Sequence, residues 1–191
     1  AALGSLLAER QPPKPIGASA IVGSFGMPLD EVALVDVSSG LLVPAALETL
    51  WQALQARGEA LRSEGIFRLS TSESELVETR RRLNGGDAGD AALEEASAHC
   101  LASLIKSHLR ELPSPMWRPV HAQARELLAA MPKGGAALGN QLRGLLQKLP
   151  RRAAEVLIWA CEVMAAVIAH ERDNRMGIAA ITAVFAPVIM R

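Results

Sequence analysis

One arginine stands out in the stretch "SEGIFRLSTSES", residues 63–74. Arg68 follows the apolar pair Ile66 and Phe67 and precedes a serine- and threonine-rich run that suits a helix start. Apolar anchors in a loop hold the neighbouring side chain at a fixed height. A guanidinium held out in this way is planar, permanently charged and able to meet charge that develops on phosphate oxygens. An arginine supplied in trans to a GTPase is worth roughly 10³–10⁵ in rate, or about 4–7 kcal/mol of barrier. The plainer alternative is that Arg68 caps a surface turn.

A second pair of cations lies in "LASLIKSHLRELP", residues 101–113. Leu101, Leu104, Ile105, His108, Leu109 and Leu112 form an apolar stripe at helical spacing. Lys106 and Arg110 fall together on roughly the opposite side. Like charges at i, i+4 disfavour an isolated helix by about 0.2–0.5 kcal/mol. The pair is therefore either a solvated basic face or a contact for a carbonyl-rich loop or an acidic partner.

Other chemistries lack their residues. His99, His108, His121 and His170 are scattered without metal-ligand spacing, and neither H-E-x-x-H nor C-x-x-C occurs, so no metal site is expected. No G-x-S-x-G elbow is present. The glycine-rich "NGGDAGD", residues 84–90, lacks a G-K-[ST] ending and follows no strand, which makes it a surface turn. No self-contained active site and no cofactor are expected. Cys100 and Cys161 sit in apolar helical patterns and read as buried free thiols.

Half of the 191 residues are hydrophobic and the formal net charge is zero. That suits one domain with a large core and argues against general affinity for nucleic acid or anionic membranes. The longest apolar run, Ala153 to Ala169, is too short to span a membrane and is broken by Glu155 and Glu162. The expectation is an intracellular soluble protein without membrane insertion. With alanine rather than methionine first, the chain reads as a piece of a longer one.

The elements that must position these residues are helical. Residues 1–24 read as a tail or linker, where "RQPPKP" ends any short amphipathic helix in 1–10. Residues 23–40 are loop-like, with a short extended piece at 32–37. Pro44 suits a first helical turn, Leu47, Leu50, Trp51 and Leu54 recur at i, i+3, i+4 and i+7, and Gly58 stops the helix. Ser70, Thr71 or Ser72 can cap the next helix, with glutamates in its first turn and arginines in its last. One helix is expected from Leu93 to Pro113, with Glu94 and Glu95 in its first turn. Two more helices each end at a proline. A long apolar helix from Arg151 to Asn174, expected to be central, and a last one stopped by Pro187 complete the set. The sum is an all-α, single-domain bundle of about seven to nine helices over residues 25–191, with no convincing sheet.

The segments "FGMPLDEV", "VPAALETLWQAL", "SEGIFRLS", "HCLASLIKSHLRELPSP" and "NRMGIAAITAVFAPVIM" occur in the order and spacing of the RhoGAP domain. The resemblance spans Phe25 to Met190 and is nearest in wording to the plant-type Rop GAPs. The GTPase-binding CRIB motif that often precedes those is not found in residues 1–24. The resemblance implies a GTPase activator for a GTP-bound Rho- or Rop-family small GTPase, with Arg68 as arginine finger and Lys106 and Arg110 bracing its loop and contacting the GTPase. GTP and magnesium would belong to the partner, and the module would hydrolyse nothing itself. It also implies a cytoplasmic location, with recruitment to the inner face of the plasma membrane through the GTPase. Asn174 and Met176 match the start of the last shared helix. Two positions depart from the family's wording: Ala180 stands where an asparagine is common, and Val188 follows Pro187 where asparagine or threonine is frequent. Both changes take polar groups from the helix expected to face the GTPase, which motivates the alternative of a non-catalytic GTPase-binding or scaffold module. The chain is also expected to be truncated at Arg191, where the family usually continues into another helix.

Overall fold

The computed structural model describes residues 16–37, 39–85, 89–130 and 135–190. The expected helix in 1–10 and residues 86–88 of the glycine-rich turn lie outside them.

A hairpin precedes the first α-helix and corrects the expectation of no convincing sheet. The extended piece is strand β1, Leu34–Asp36, and it pairs antiparallel with β2, Leu42–Pro44. Gly40, at φ 76°, supplies the left-handed residue in the connecting turn. The second strand was hidden because it merges directly into helix α1, Ala45–Gln55. Pro44 is extended at ψ 125° and sits at the N-cap, one position before the turn assigned to it. The predicted stripe of α1 holds: Leu47, Leu50, Trp51 and Leu54 are all buried.

Helix α2, Glu73–Gly85, starts under a serine cap, with the Ser72 hydroxyl accepting from the Glu75 amide at 3.2 Å. The expected single helix from Leu93 to Pro113 is two: α3, Gly89–Glu95, and α4, Ala98–Arg110. Two interactions cause the break. Arg57 Nη2 donates to the Leu93 and Glu94 carbonyls at 2.6 Å each and so satisfies the end of α3. The Ser97 hydroxyl accepts from the Cys100 amide at 3.1 Å and starts α4. Glu94 and Glu95 thus close one helix rather than opening the next.

Helices α5, His121–Ala130, and α6, Gly135–Leu146, form an outlying pair. Helix α7, Arg151–Ile168, is followed by the short α8, Glu171–Asn174, and then α9, Ile178–Ile189. That makes nine α-helices among the described residues. The expected long helix to Asn174 breaks at Ala169 and His170. The central helix is α4 and not α7. From Cys100 to Leu109 only Ser107 of α4 is even half-exposed, and α4 packs on α1, α2 and α9. Helix α7 keeps an outer face on which Cys161 is exposed, so only Cys100 fits the expected buried thiol.

The packed unit takes in residues assigned to the tail. A short 3-10 turn, Ala18–Ile21, puts Ala18 and Ile21 into the core. Its Ala18 amide donates to Asp90 at 2.7 Å. A β-carbon on Gly89 would lie 2.6 Å from the Ala18 β-carbon, so the close approach requires glycine there.

Candidate functional site

The arginine loop is built from a left-handed backbone at two positions, Gly65 at φ 67° and Phe67 at φ 66°. The amides of Arg68 and Leu69 both donate to the Gly65 carbonyl at 2.8 Å, which closes a tight turn. A β-carbon on Gly65 would lie 2.7 Å from Leu69 Cγ and 3.4 Å from Arg68 Nη2, so glycine leaves the room these side chains occupy. Phenylalanine gains nothing locally from a positive φ, which costs about 1–2 kcal/mol. Burial offsets that cost. Ile66 and Phe67 are fully buried, and the Phe67 ring lies 5.2 Å from that of Phe185 on α9. Arg68 emerges exposed immediately after them. The expected arrangement, apolar anchors below and guanidinium above, is what the loop has.

Lys106 departs from a solvated face. It is buried, and its Nζ donates to the Phe67 carbonyl at 2.5 Å. Burial pulls its pKa below the usual lysine value, with the charge of Arg110 adding to the effect. An ammonium and a neutral amine both carry N–H donors, so the bond to Phe67 does not depend on the charge. Arg110, one turn further along α4, is exposed. The two cations therefore share a helix side but differ in setting, because the loop lies over the first and not the second.

The other end of the loop is tied to a turn that spacing did not single out for a role. The Gly65 amide donates to the Asn174 carbonyl at 2.8 Å. Asn174 is fully buried and accepts the Met176 amide on its own Oδ1 at 2.7 Å. That side-chain-to-backbone closure two residues on is the habit of asparagine in turns, and it is the signal "N-R-M" carried. At the C-terminal end of α4, Arg80 of α2 pairs with Glu111 through two contacts, at 2.7 and 2.5 Å, and stacks 4.3 Å over Phe25. Beneath Phe25 lies His108, fully buried with ring centroids 5.3 Å apart. Neither His108 nitrogen meets a hydrogen-bond partner among the described residues, and burial pushes its pKa down to about 4.

On α9, Ile178 is 71% exposed and Ala180 is half-buried. Val188 is only 3% exposed. This corrects the expectation for Val188: its side chain belongs to the core, and the change there concerns packing rather than the outer face. Among the described residues no cluster of three or more histidine, cysteine or carboxylate side chains could hold a metal, and no helix is long and apolar enough to cross a membrane.

A helical unit with an exposed arginine on a doubly tethered loop points to one class of protein. A family model described as the RhoGAP domain matches residues 44–191, and the chain belongs to that family. It is 33% identical over 169 residues to "Rho GTPase-activating protein 1" of Arabidopsis thaliana, covering 88% of this chain and 34% of that one. "Rho GTPase-activating protein 5" of the same plant is 33% identical over 92% of this chain and 49% of its own length. The chain thus spans about a third to a half of these curated relatives. Among solved structures, human Rho GTPase activating protein 15 superimposes with a TM-score of 0.64 at 23% identity, covering 77% of this chain and 69% of that one. The BH domain of the GTPase regulator associated with focal adhesion kinase gives a TM-score of 0.64 at 22% identity, over 76% of this chain and 77% of that one. These two likenesses establish the shared fold.

Proposed function

We propose that this domain accelerates GTP hydrolysis by a Rho- or Rop-type small GTPase, and that Arg68 is the group it contributes. Its partner is the GTP-bound form, which brings the nucleotide and magnesium. The domain docks beside the nucleotide site and places the Arg68 guanidinium against the γ-phosphate oxygens as charge builds on them. It hydrolyses nothing itself and needs no cofactor. Hydrolysis then releases the ordered switch loops and ends the signal. Such a partner places the domain in the cytoplasm and brings it to the inner face of the plasma membrane.

The observation that carries the reading is the loop itself. An exposed arginine follows two fully buried residues, and the loop is hydrogen-bonded at both Gly65 and Phe67. Pre-set geometry of this kind is what a group acting only in the transition state requires. Exposed Arg110, on the side of α4 that carries Lys106, supplies a charge for docking. The burial of Val188 removes one of the two changes that favoured a scaffold.

Single-turnover GTP hydrolysis by a Rho-type GTPase tests this, alone, with the domain, and with its Arg68→Ala variant. The parent is expected to accelerate hydrolysis by roughly 10³–10⁵. The variant is expected to bind the GTPase and to lose that acceleration. Binding without acceleration by the parent would establish the scaffold instead. Equal acceleration by the variant would remove Arg68 from the chemistry.

A further inference from the structure

The segment that leads into the arginine loop runs beside the end of α8 and the residue that follows it, and is laced to them at four points. The Leu61 carbonyl accepts from Asn174 Nδ2 at 2.7 Å. Arg62 pairs with Asp173 at 2.5 Å, and Glu64 with Arg175 at 3.4 Å. The Gly65 amide donates to the Asn174 carbonyl at 2.8 Å. The two ion pairs are exposed, and such pairs contribute little. The other two points belong to one fully buried residue.

Asn174 uses its whole amide. Besides Leu61, its Nδ2 donates to the Val167 carbonyl at 2.8 Å, and its Oδ1 accepts from the Met176 amide at 2.7 Å. One side chain thereby joins a second 3-10 turn, Gly58–Arg62, which precedes the loop, to the end of α7 and the approach to α9. It also fixes the position of its own carbonyl, on which Gly65 hangs three residues before Arg68. Arg175, at φ 57°, follows in the left-handed region, which a non-glycine residue holds only where its surroundings impose it.

We infer that Asn174 is a positioning residue for Arg68: it sets one end of the arginine loop, while Lys106 sets the other through the Phe67 carbonyl. The consequence for hydrolysis rests on Arg68 acting in trans as proposed above. Removing the Asn174 side chain leaves the Leu61 carbonyl and the Met176 amide without their partner, and takes one of its donors from the Val167 carbonyl, which keeps the His170 amide at 3.1 Å. The turn must then rearrange, and the Gly65 tether moves with it. A displacement of about 1 Å at a catalytic group can cost on the order of 10²-fold in rate. Docking on the GTPase does not require the tether, so affinity is spared.

The test compares Asn174→Ala with the parent in two readouts. One is amide hydrogen exchange at Gly65 against Ile105 in the core of α4. The other is single-turnover hydrolysis over a range of domain concentrations, which separates maximal rate from half-saturating concentration. Exchange at Gly65 is expected to rise about tenfold relative to Ile105. The maximal rate is expected to fall roughly 10–100-fold, with half-saturation within about threefold. Leu93→Ala, a core truncation in α3 remote from the loop, supplies the control for simple destabilisation and is expected to keep the maximal rate. If Asn174→Ala does not fold, Asn174→Ser, which keeps one donor, carries the same comparison. Uniform loss of protection, with activity tracking the folded fraction as in Leu93→Ala, would overturn the inference. So would an unchanged Gly65. A parent inactive on every Rho-type GTPase would sink the trans-arginine reading, whereas Gly65 exchange would still decide whether Asn174 holds the loop.

Discussion

The Lys106 ammonium reaches the Phe67 carbonyl at 2.5 Å, from the buried side of α4 to the residue just before Arg68. The contact explains why a cation is buried on α4 among its apolar side chains. The Phe67 carbonyl accepts no backbone amide among the described residues, so it needs a donor from elsewhere. Lysine is long enough to supply one from the next element.

Lys106→Met keeps the length and removes the donor. The Phe67 carbonyl is then left buried without a partner, at about 1–3 kcal/mol, while relief of the desolvated lysine offsets part of that. Stability is expected to change by less than about 3 kcal/mol on chemical denaturation. The maximal rate of stimulated hydrolysis is expected to fall on the order of 10²-fold as the loop loses one tether. An unchanged rate in a folded variant would make the contact irrelevant to Arg68.

Arg110→Ala separates docking from bracing. Its side chain is exposed, so its loss is expected to leave stability within about 0.5 kcal/mol. Half-saturation is expected to rise about tenfold, the equivalent of about 1.4 kcal/mol of binding, with the maximal rate retained. The same titration that measures the Lys106 variant checks this, and a fall in maximal rate at constant half-saturation would place Arg110 with the braces instead.

His108 gives the domain a particular response to acid. Its folded-state pKa, about 4, lies below the ordinary value near 6.5 because burial disfavours the imidazolium; Glu111 opposes that shift and Arg80 adds to it. Between those values the unfolded chain binds the proton and the folded chain does not. Stability is therefore fully present above about pH 6.5 and is lost as pH falls towards 4, by about 3 kcal/mol for this group. His108→Leu is expected to flatten that part of the acid limb in denaturation curves recorded at pH 7, 6, 5 and 4. Equal pH dependence in both proteins would show that other groups set the acid response.

Much of the fold was legible because helices bury a stripe whose period survives in the order of residues. Leu47, Leu50, Trp51 and Leu54 on α1, and the stripe on α4 that includes His108, are buried where their spacing put them. Breaks were less legible. The division between α3 and α4 depends on Arg57, which reaches across from a loop far away in sequence, and the pairing of β1 with β2 depends on a strand too short to show a period.

The residue types alone determined a helical protein with an arginine raised by two apolar neighbours, since propensity, stripe spacing and the "GIFR" order are local properties. Only the tertiary structure decided that Lys106 is buried and Arg110 exposed, that Val188 packs in the core, and that Asn174 carries the far end of the arginine loop. Spacing along a helix says which side chains share a face. It does not say what lies over that face, because that depends on elements distant in sequence and on backbone carbonyls, which leave no mark in the order of residues.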